Sequence, residues 1–359
     1  MTGPVPIPGT LPARMRRAPH YLGHGTRWRS RVGVIVGACA LVVPPAVLAG
    51  PPSSAAPSPG VGRAVSRDGK FAVGTTDLRF VEPAGPGGGP SRVLPTSVWY
   101  PAVRDPAHLV PDRAHAPYPL LFFSTGYDIS VHAYQGLLSD WASAGFVVVA
   151  PTYPHNDPSD PAQVDENDIV NHPADLRFVI TTVLATARHQ ASLLAGLVNP
   201  SEIGVAGHSD GADVTLAVAD NSCCRDRRVK AAAVLSGAEL DSFGGRYFAG
   251  PPVPLLVAQG SADVVNFPAC STQLYDKASR PRYYLDLLGA GHEPPYAGPL
   301  VVPAQSTVVA RVTTDFFDAE LRGEQSGITA MTMDGNIAHT ARVTSDLSVP
   351  PALGDCPGA

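Results

Sequence analysis

The chain has 359 residues, which is long enough for one large α/β domain or for two small domains. Its 35 glycines and 38 prolines indicate many turns, and a hydrophobic content of 44% argues against a disordered chain. The formal charge is −5, and it is −11 without the first 49 residues, which argues against a nucleic-acid partner. Neither a G-x-x-x-x-G-K loop nor paired zinc-type cysteine spacing occurs, so we expect no cofactor and no metal.

The first 49 residues have the layout of a signal peptide. Six arginines, with no acidic residue among them, precede an apolar run over residues 32–49. Cleavage after Ala49 changes 26 basic against 31 acidic residues into 20 against 31, a net charge of −11. We therefore expect a secreted or extracytoplasmic protein. A retained membrane anchor is the alternative, although Pro44 and Pro45 interrupt an apolar run that is already short for a span.

Residues 50–70 are predicted to be a flexible linker, and strand-like and helix-like runs alternate after them. The predicted strands are 78–81, 93–100, 120–124, 146–150, 202–206, 229–235, 255–258 and 283–288. The predicted helices are 131–144, 174–197, 210–220, 269–277 and 306–321. This alternation predicts one doubly wound α/β domain over residues 71–325, with about eight mostly parallel strands. Residues 326–359 are expected to be a C-terminal tail.

The segment 155–172 is acidic and without a regular pattern, and it follows the end of a strand. We therefore expect it at the rim of the sheet where the carboxyl ends of the strands lie. Its acidic residues fit a solvated loop, with cation binding as the alternative.

A serine motif follows the strand 202–206, where the next five residues are Gly207, His208, Ser209, Asp210 and Gly211. This G-x-S-x-G pattern is typical of a nucleophile elbow, in which the chain turns so sharply from strand to helix that only small residues fit two positions before and after the serine. Ser209 is therefore the candidate nucleophile. We expect His208 to be a packing residue.

A serine nucleophile needs a histidine that takes its proton and a carboxylate that orients the histidine. The strand 255–258 leads into a loop that carries Asp263, and the strand 283–288 leads through two glycines to His292. Asp263 is therefore the predicted acid and His292 the predicted base. Asp241, which also follows a strand, is the alternative acid.

The tetrahedral intermediate of acyl transfer needs two preorganised N–H donors. We predict the backbone N–H groups of Asp210 and Tyr127, the latter in the loop after strand 120–124. The Tyr127 ring is expected to form one wall of the acyl pocket, and the Asp210 side chain to cap the helix or to contact a loop.

From about residue 93 to residue 321 the chain resembles the α/β-hydrolase superfamily, and within it the secreted serine esterases similar to platelet-activating-factor acetylhydrolases and predicted dienelactone hydrolases. The resemblance rests on the segments 119–126, 145–151 and 173–179, together with the elbow and the Asp263 and His292 regions. It implies an α/β-hydrolase fold and carboxylic ester hydrolysis. True dienelactone hydrolases use a cysteine nucleophile, so Ser209 argues against that particular activity. Where such relatives carry His-Gly, this chain has Thr125-Gly126.

Four cysteines follow the predicted cleavage site, an even number that suits an exported chain: Cys223, Cys224, Cys270 and Cys356. The elbow helix carries the first two to the rim opposite Asp263, whereas Cys270 follows Asp263. A strand of six residues separates the rims by roughly 20 Å, beyond the reach of a disulfide. Cys270 is therefore predicted to pair with Cys356, leaving Cys223 and Cys224 either bonded to each other or free.

These observations predict a secreted serine carboxylesterase that acts as a monomer on small or medium acyl esters of small molecules or lipids. A polyester- or cutin-type hydrolase or a lipase is one alternative. A non-catalytic lipid-binding protein with the same fold is a second.

Overall fold

The computed structural model describes residues 71–84, 90–105, 108–298, 302–345 and Cys356. All of them belong to one compact unit, Val61–Ala359. The predicted signal peptide 1–49 and linker 50–70 lie outside the described residues, so cleavage and export stay predictions.

The described residues form one sheet of ten strands, with the spatial order β1-β2-β5-β4-β6-β7-β8-β9-β10 and with β3 beside β2. The strands are β1 (Ala72–Glu82), β2 (Arg92–Asp105), β3 (His108–Pro111), β4 (Tyr118–Ser124), β5 (Val147–Pro151), β6 (Val198–His208), β7 (Val229–Leu235), β8 (Leu255–Gly260), β9 (Arg282–Leu287) and β10 (Ala341–Ser345). The six strands from β5 to β9 in this order run parallel, and the remaining strands pair antiparallel.

Helices cover both faces of the sheet. They are α1 (Gln135–Ser143), α2 (His172–Thr186), α3 (Asp210–Asp220), α4 (Pro268–Lys277), α5 (Pro303–Arg322) and α6 (Gln325–Asp334). Helices α2, α3 and α4 contribute to one buried apolar cluster, and α1 and α5 contribute to the other. Because both faces are covered, every residue of β4 and β5 is buried. No helix in the described ranges is both long and apolar enough to span a membrane.

The α/β prediction is confirmed, but the sheet has two strands more than the eight predicted. The strand β3 was missed because it is a four-residue edge strand with no buried residue, so it shows no apolar alternation. Strand β10 and helix α6 lie in the predicted tail, where β10 pairs with β9 and α6 packs against α5. The predicted helix 174–197 ends at Thr186 and continues as turns.

The acidic segment 155–172 is anchored to β2 by a partly buried ion-pair network. The Arg92 guanidinium donates two hydrogen bonds to Asp168 (3.0 and 2.6 Å) and two to Asp175 (both 2.7 Å). Burial favours the neutral form of Asp168, but hydrogen bonds from His172 and Arg92 hold its pKa well below the usual range. His172 lies 3.4 Å from Asp168, so these carboxylates and the imidazole cluster around the guanidinium.

The predicted Cys270–Cys356 pairing is present, and of the two alternatives for Cys223 and Cys224 the structure has the disulfide. Cys270, in α4, is bonded to Cys356, which ties the last described residue to the rim beyond β8. Cys223 and Cys224, which follow α3 at the opposite rim, are bonded to each other.

Replacing Arg92 by methionine is expected to destabilise the protein by about 3 to 5 kcal/mol at pH 7, because the Asp168 and Asp175 carboxylates then remain buried without a counter-charge. Chemical denaturation at pH 7 measures the loss. Methionine at Arg104, which is exposed on the same strand, is the control, with an expected change within about 0.5 kcal/mol. Equal losses for both variants would contradict the structural role of the network.

Candidate active site

The carboxyl ends of parallel strands β4, β6, β8 and β9 lie at one rim of the sheet. Ser209 directly follows β6, whereas Asp263 and His292 lie in the loops after β8 and β9. Ser124, the last residue of β4, pairs in register with Gly207. This register places the loop after β4 beside the elbow.

The elbow between β6 and α3 is strained and closely packed. Ser209 has φ 55° and ψ −128°, a backbone conformation that non-glycine residues rarely adopt. A Cβ on Gly207 would overlap the Gly211 carbonyl, and a Cβ on Gly211 would overlap the Ser124 carbonyl. Both positions therefore require glycine, because a backbone carbonyl of the neighbouring element occupies the space that a Cβ would need.

The structure brings the three predicted triad residues together. The Ser209 Oγ lies 2.8 Å from His292 Nε2, and His292 Nδ1 lies 2.7 Å from Asp263 Oδ2. The neutral imidazole that fits these partners donates its Nδ1–H to the carboxylate and accepts from the serine hydroxyl at Nε2. This arrangement can remove a proton from Ser209 as its oxygen attacks an electrophile.

Asp263 is held by donors on both carboxylate oxygens. Oδ1 accepts from the N–H groups of Val265 (2.8 Å) and Asn266 (3.1 Å), and Oδ2 accepts from Gln259 Nε2 at 3.0 Å. Burial alone would raise the pKa of Asp263, but the contact with His292 and these donors bring it below the usual value. The surroundings of Asp263 therefore favour its ionised form.

A buried line of hydrogen bonds runs beneath the site through His208. The Gly126 N–H donates to Tyr134 Oη at 3.1 Å, Tyr134 Oη lies 2.8 Å from His208 Nδ1, and His208 Nε2 lies 3.0 Å from the His292 carbonyl oxygen. Burial and, second, the charge of nearby His292 lower the pKa of His208 to about 3, so the ring is neutral. A carbonyl only accepts, so His208 donates from Nε2 and Tyr134 donates to Nδ1.

The loop of residues 125–128, called the oxyanion loop here, contains the predicted segment 125–127 and lies against the nucleophile. A Cβ on Gly126 would be 3.2 Å from the Ser209 Cβ. The Gly126 N–H is already committed to Tyr134, and among the described residues the Tyr127 N–H has no hydrogen-bond partner. Asp210, the other predicted donor, is the first residue of α3, where backbone N–H groups have no helical acceptor. The Tyr127 N–H and the Asp210 N–H stay the predicted pair of donors.

Two further carboxylates lie beside the elbow. Asp210 and Asp213 of α3 line a cavity of about 260 Å³ together with Glu166 and Leu240. Burial and, second, the charge of Glu166 raise the pKa of Asp210 to about 6. Burial also raises the pKa of Asp213, although its Oδ1 accepts from the Ala238 N–H at 2.6 Å.

The alternative acid, Asp241, is exposed in a short 3₁₀ helix (Asp241–Phe243), and Asp263 is the carboxylate bonded to His292. The sequence pattern gives no signal for Tyr134 or Gln259, which stand in an ordinary helical run and at a strand end. His208, expected to be a packing residue, is buried as expected but also makes the two hydrogen bonds described above.

The sheet order and the helices on both faces match an α/β-hydrolase fold. Residues 92–244, less than half of the chain, match the family model named Chlorophyllase. Among solved structures, the chain is similar to a ferulic acid esterase from Streptomyces cinnamoneus, with a TM-score of 0.59 and 21% sequence identity over 80% of this chain and 100% of that chain. No curated protein sequence matches the chain.

Alanine in place of Gly211 is expected to lower activity by about 100-fold or more, because the added methyl group forces α3 away from the Ser124 carbonyl and displaces Ser209. Gly136→Ala is the matched control, since a Cβ at this exposed helical position meets nothing within 4 Å and improves helix propensity by about 0.5 to 1 kcal/mol. The measurements are ester hydrolysis and thermal unfolding. An active Gly211→Ala protein would refute the tight elbow.

Asp210→Asn is expected to stabilise the protein by roughly 2 to 3 kcal/mol at pH 8 and to change little at pH 4. The pKa of Asp210 rises from an ordinary 3.8 to about 6 on folding, so its ionisation opposes folding once the pH exceeds 3.8, and the full cost applies above pH 6. Unfolding curves at the two pH values check this, with the exposed Asp276→Asn as control. Destabilisation at both pH values would mean that the carboxylate makes a needed hydrogen bond.

Proposed function

We propose that the protein is a serine carboxylic ester hydrolase. The observation that carries the proposal is the hydrogen-bonded chain from Ser209 Oγ through His292 to Asp263, at the carboxyl rim of an α/β-hydrolase sheet. The names of the matched family model and of the similar structure support ester hydrolysis as the reaction.

The proposed reaction is acyl transfer in two halves. The Ser209 Oγ forms a bond to the ester carbonyl carbon while His292 Nε2 takes the hydroxyl proton, and the carbonyl oxygen becomes an oxyanion near the Tyr127 and Asp210 N–H groups. Collapse of this intermediate breaks the bond to the alcohol, which leaves with the proton from His292. Water then repeats the sequence on the acyl-enzyme, releasing the acid and regenerating Ser209.

The proposed substrate is an ester with a small or medium acyl group. A polyester or lipid substrate is the second candidate, and one surface feature favours it. The loop after Asp263 exposes three apolar side chains, with exposures of 77% for Val264, 62% for Val265 and 45% for Phe267. Apolar side chains beside the site would suit an apolar substrate surface.

We also propose that the protein is exported. The arginine-rich, acid-free segment before residue 50 supports this proposal. The two disulfides support it as well, because disulfides persist in oxidising compartments.

The test is hydrolysis of p-nitrophenyl acetate, butyrate and decanoate by the wild type and by Ser209→Ala. Activity is expected with the shorter esters, and loss of the Oγ should lower kcat by roughly 10⁴- to 10⁶-fold. Asp263→Asn should lower it by about 10⁴-fold, because the amide no longer stabilises the imidazolium.

Ser201→Ala is the matched control, since Ser201 is exposed near the beginning of the same strand β6. Equal activity of Ser209→Ala and the wild type would refute Ser209 as the nucleophile. Inactivity of the wild type on all three esters would favour the non-catalytic alternative, and preference for decanoate or for emulsified esters over dissolved ones would favour the lipid or polyester substrate.

A further inference from the structure

One buried side chain, Asn156, bonds to the oxyanion loop through both of its polar atoms. Asn156 lies in the loop after β5 and is 4% exposed. Its Nδ2 donates to the Gly126 carbonyl oxygen at 3.1 Å and to Thr125 Oγ1 at 3.3 Å. Its Oδ1 accepts from the Asp128 N–H at 2.8 Å. The amide therefore holds residues on both sides of Tyr127.

The bond to the Gly126 carbonyl determines the direction of the Tyr127 N–H. The two groups belong to the same peptide unit, which is planar, and in a trans unit the C=O and the N–H point in opposite directions. A donor that fixes the Gly126 oxygen therefore fixes the Tyr127 N–H on the other side of the plane. The Ile129 N–H, at 3.4 Å from the same oxygen, closes the turn.

Asn156 also holds a strained residue in place. Asp128 has φ 55°, in the left-handed region, which costs roughly 1 kcal/mol or more unless surrounding contacts enforce it. The hydrogen bond from its N–H to Asn156 Oδ1 supplies such a contact. The amide side chain donates and accepts simultaneously at these positions, whereas an ionised carboxylate cannot donate and an aliphatic residue does neither.

We propose that Asn156 is a positioning residue that orients the Gly126–Tyr127 peptide group so that the Tyr127 N–H meets the oxyanion formed at the substrate carbonyl. The inference rests on the proposed function, since it presupposes acyl transfer at Ser209. It assigns to the loop after β5 a role that the serine motif and the triad order do not predict. Asn156 acts through Tyr127 and takes no part in proton transfer.

The experiment compares Asn156→Ala and Asn156→Asp with the wild type on p-nitrophenyl butyrate. Because oxyanion stabilisation acts in the transition state, kcat is expected to fall by about 10- to 100-fold while KM changes by less than about 2-fold. The inhibition constant of an alkyl trifluoromethyl ketone, which forms a tetrahedral oxyanion with a serine, should rise by a similar factor. Asn156→Asp keeps the oxygen that accepts from the Asp128 N–H. A fall in kcat for this variant therefore reports the missing donor to the Gly126 carbonyl oxygen.

Asn199→Ala is the matched control, because Asn199 also accepts a backbone N–H, from Ser201, but lies near the beginning of β6. Circular dichroism melting shows whether each variant is folded at the assay temperature. If Asn156→Ala is unfolded, the comparison uses Asn156→Asp alone. An unchanged kcat in a folded variant, or a kcat loss without a change in ketone inhibition, would overturn the proposal. Failure of the proposed function is recognised separately, by a wild type that is inactive or equalled by Ser209→Ala.

Discussion

Direct backbone packing at the elbow is the constraint on which the rest of the site depends. Strand β6, helix α3 and the end of β4 meet at Gly207, Gly211 and Ser124 without a side chain between them. The close approach makes the turn at Ser209 sharp enough to hold its φ at 55°. It also brings Gly126 to the Ser209 Cβ, so the distance between the nucleophile and the oxyanion loop is set by backbone dimensions.

The carboxylates at this rim of the sheet fall into two groups, whose surroundings shift their pKa values in opposite directions. Asp263 is supplied with donors and with His292, and its pKa is lowered, whereas Asp210 and Asp213 lack enough donors and their pKa values are raised. Opposite shifts within one site are typical of groups with different tasks. Because the pKa values of Asp210 and Asp213 are raised on folding, the ionisation of these carboxyl groups opposes folding at neutral pH, a cost that the large buried clusters on both sheet faces offset.

The order serine, acid, base could be predicted from the sequence because each of these residues follows a buried apolar run. In a parallel sheet, the carboxyl ends of such strands lie at one rim. Local pattern likewise predicted α3 to the residue. The hydrogen-bond partners were not readable. Asn156 meets Gly126 across 30 positions, and Tyr134 meets His208 across 74, and neither pairing leaves a trace in local periodicity. The anchoring of the acidic segment by Arg92 is not predictable from the sequence for the same reason, since 76 positions separate Arg92 from Asp168.

The acid–base half and the oxyanion half of the site come from opposite sides of β6, and His208 joins them. Strands β8 and β9 carry Asp263 and His292, whereas the oxyanion loop follows β4 on the other side. With a pKa near 3, His208 stays neutral, so it has one donor and one acceptor, and its partners permit only one arrangement of its proton. An apolar side chain of similar size would fill the space but leave the Tyr134 hydroxyl proton without an acceptor and the His292 carbonyl without a donor, at about 1 to 3 kcal/mol each. His208, the residue before the nucleophile, therefore links the oxyanion loop after β4 to the loop after β9 that carries His292. Without this link, the two loops would be positioned only by the ends of two separate strands.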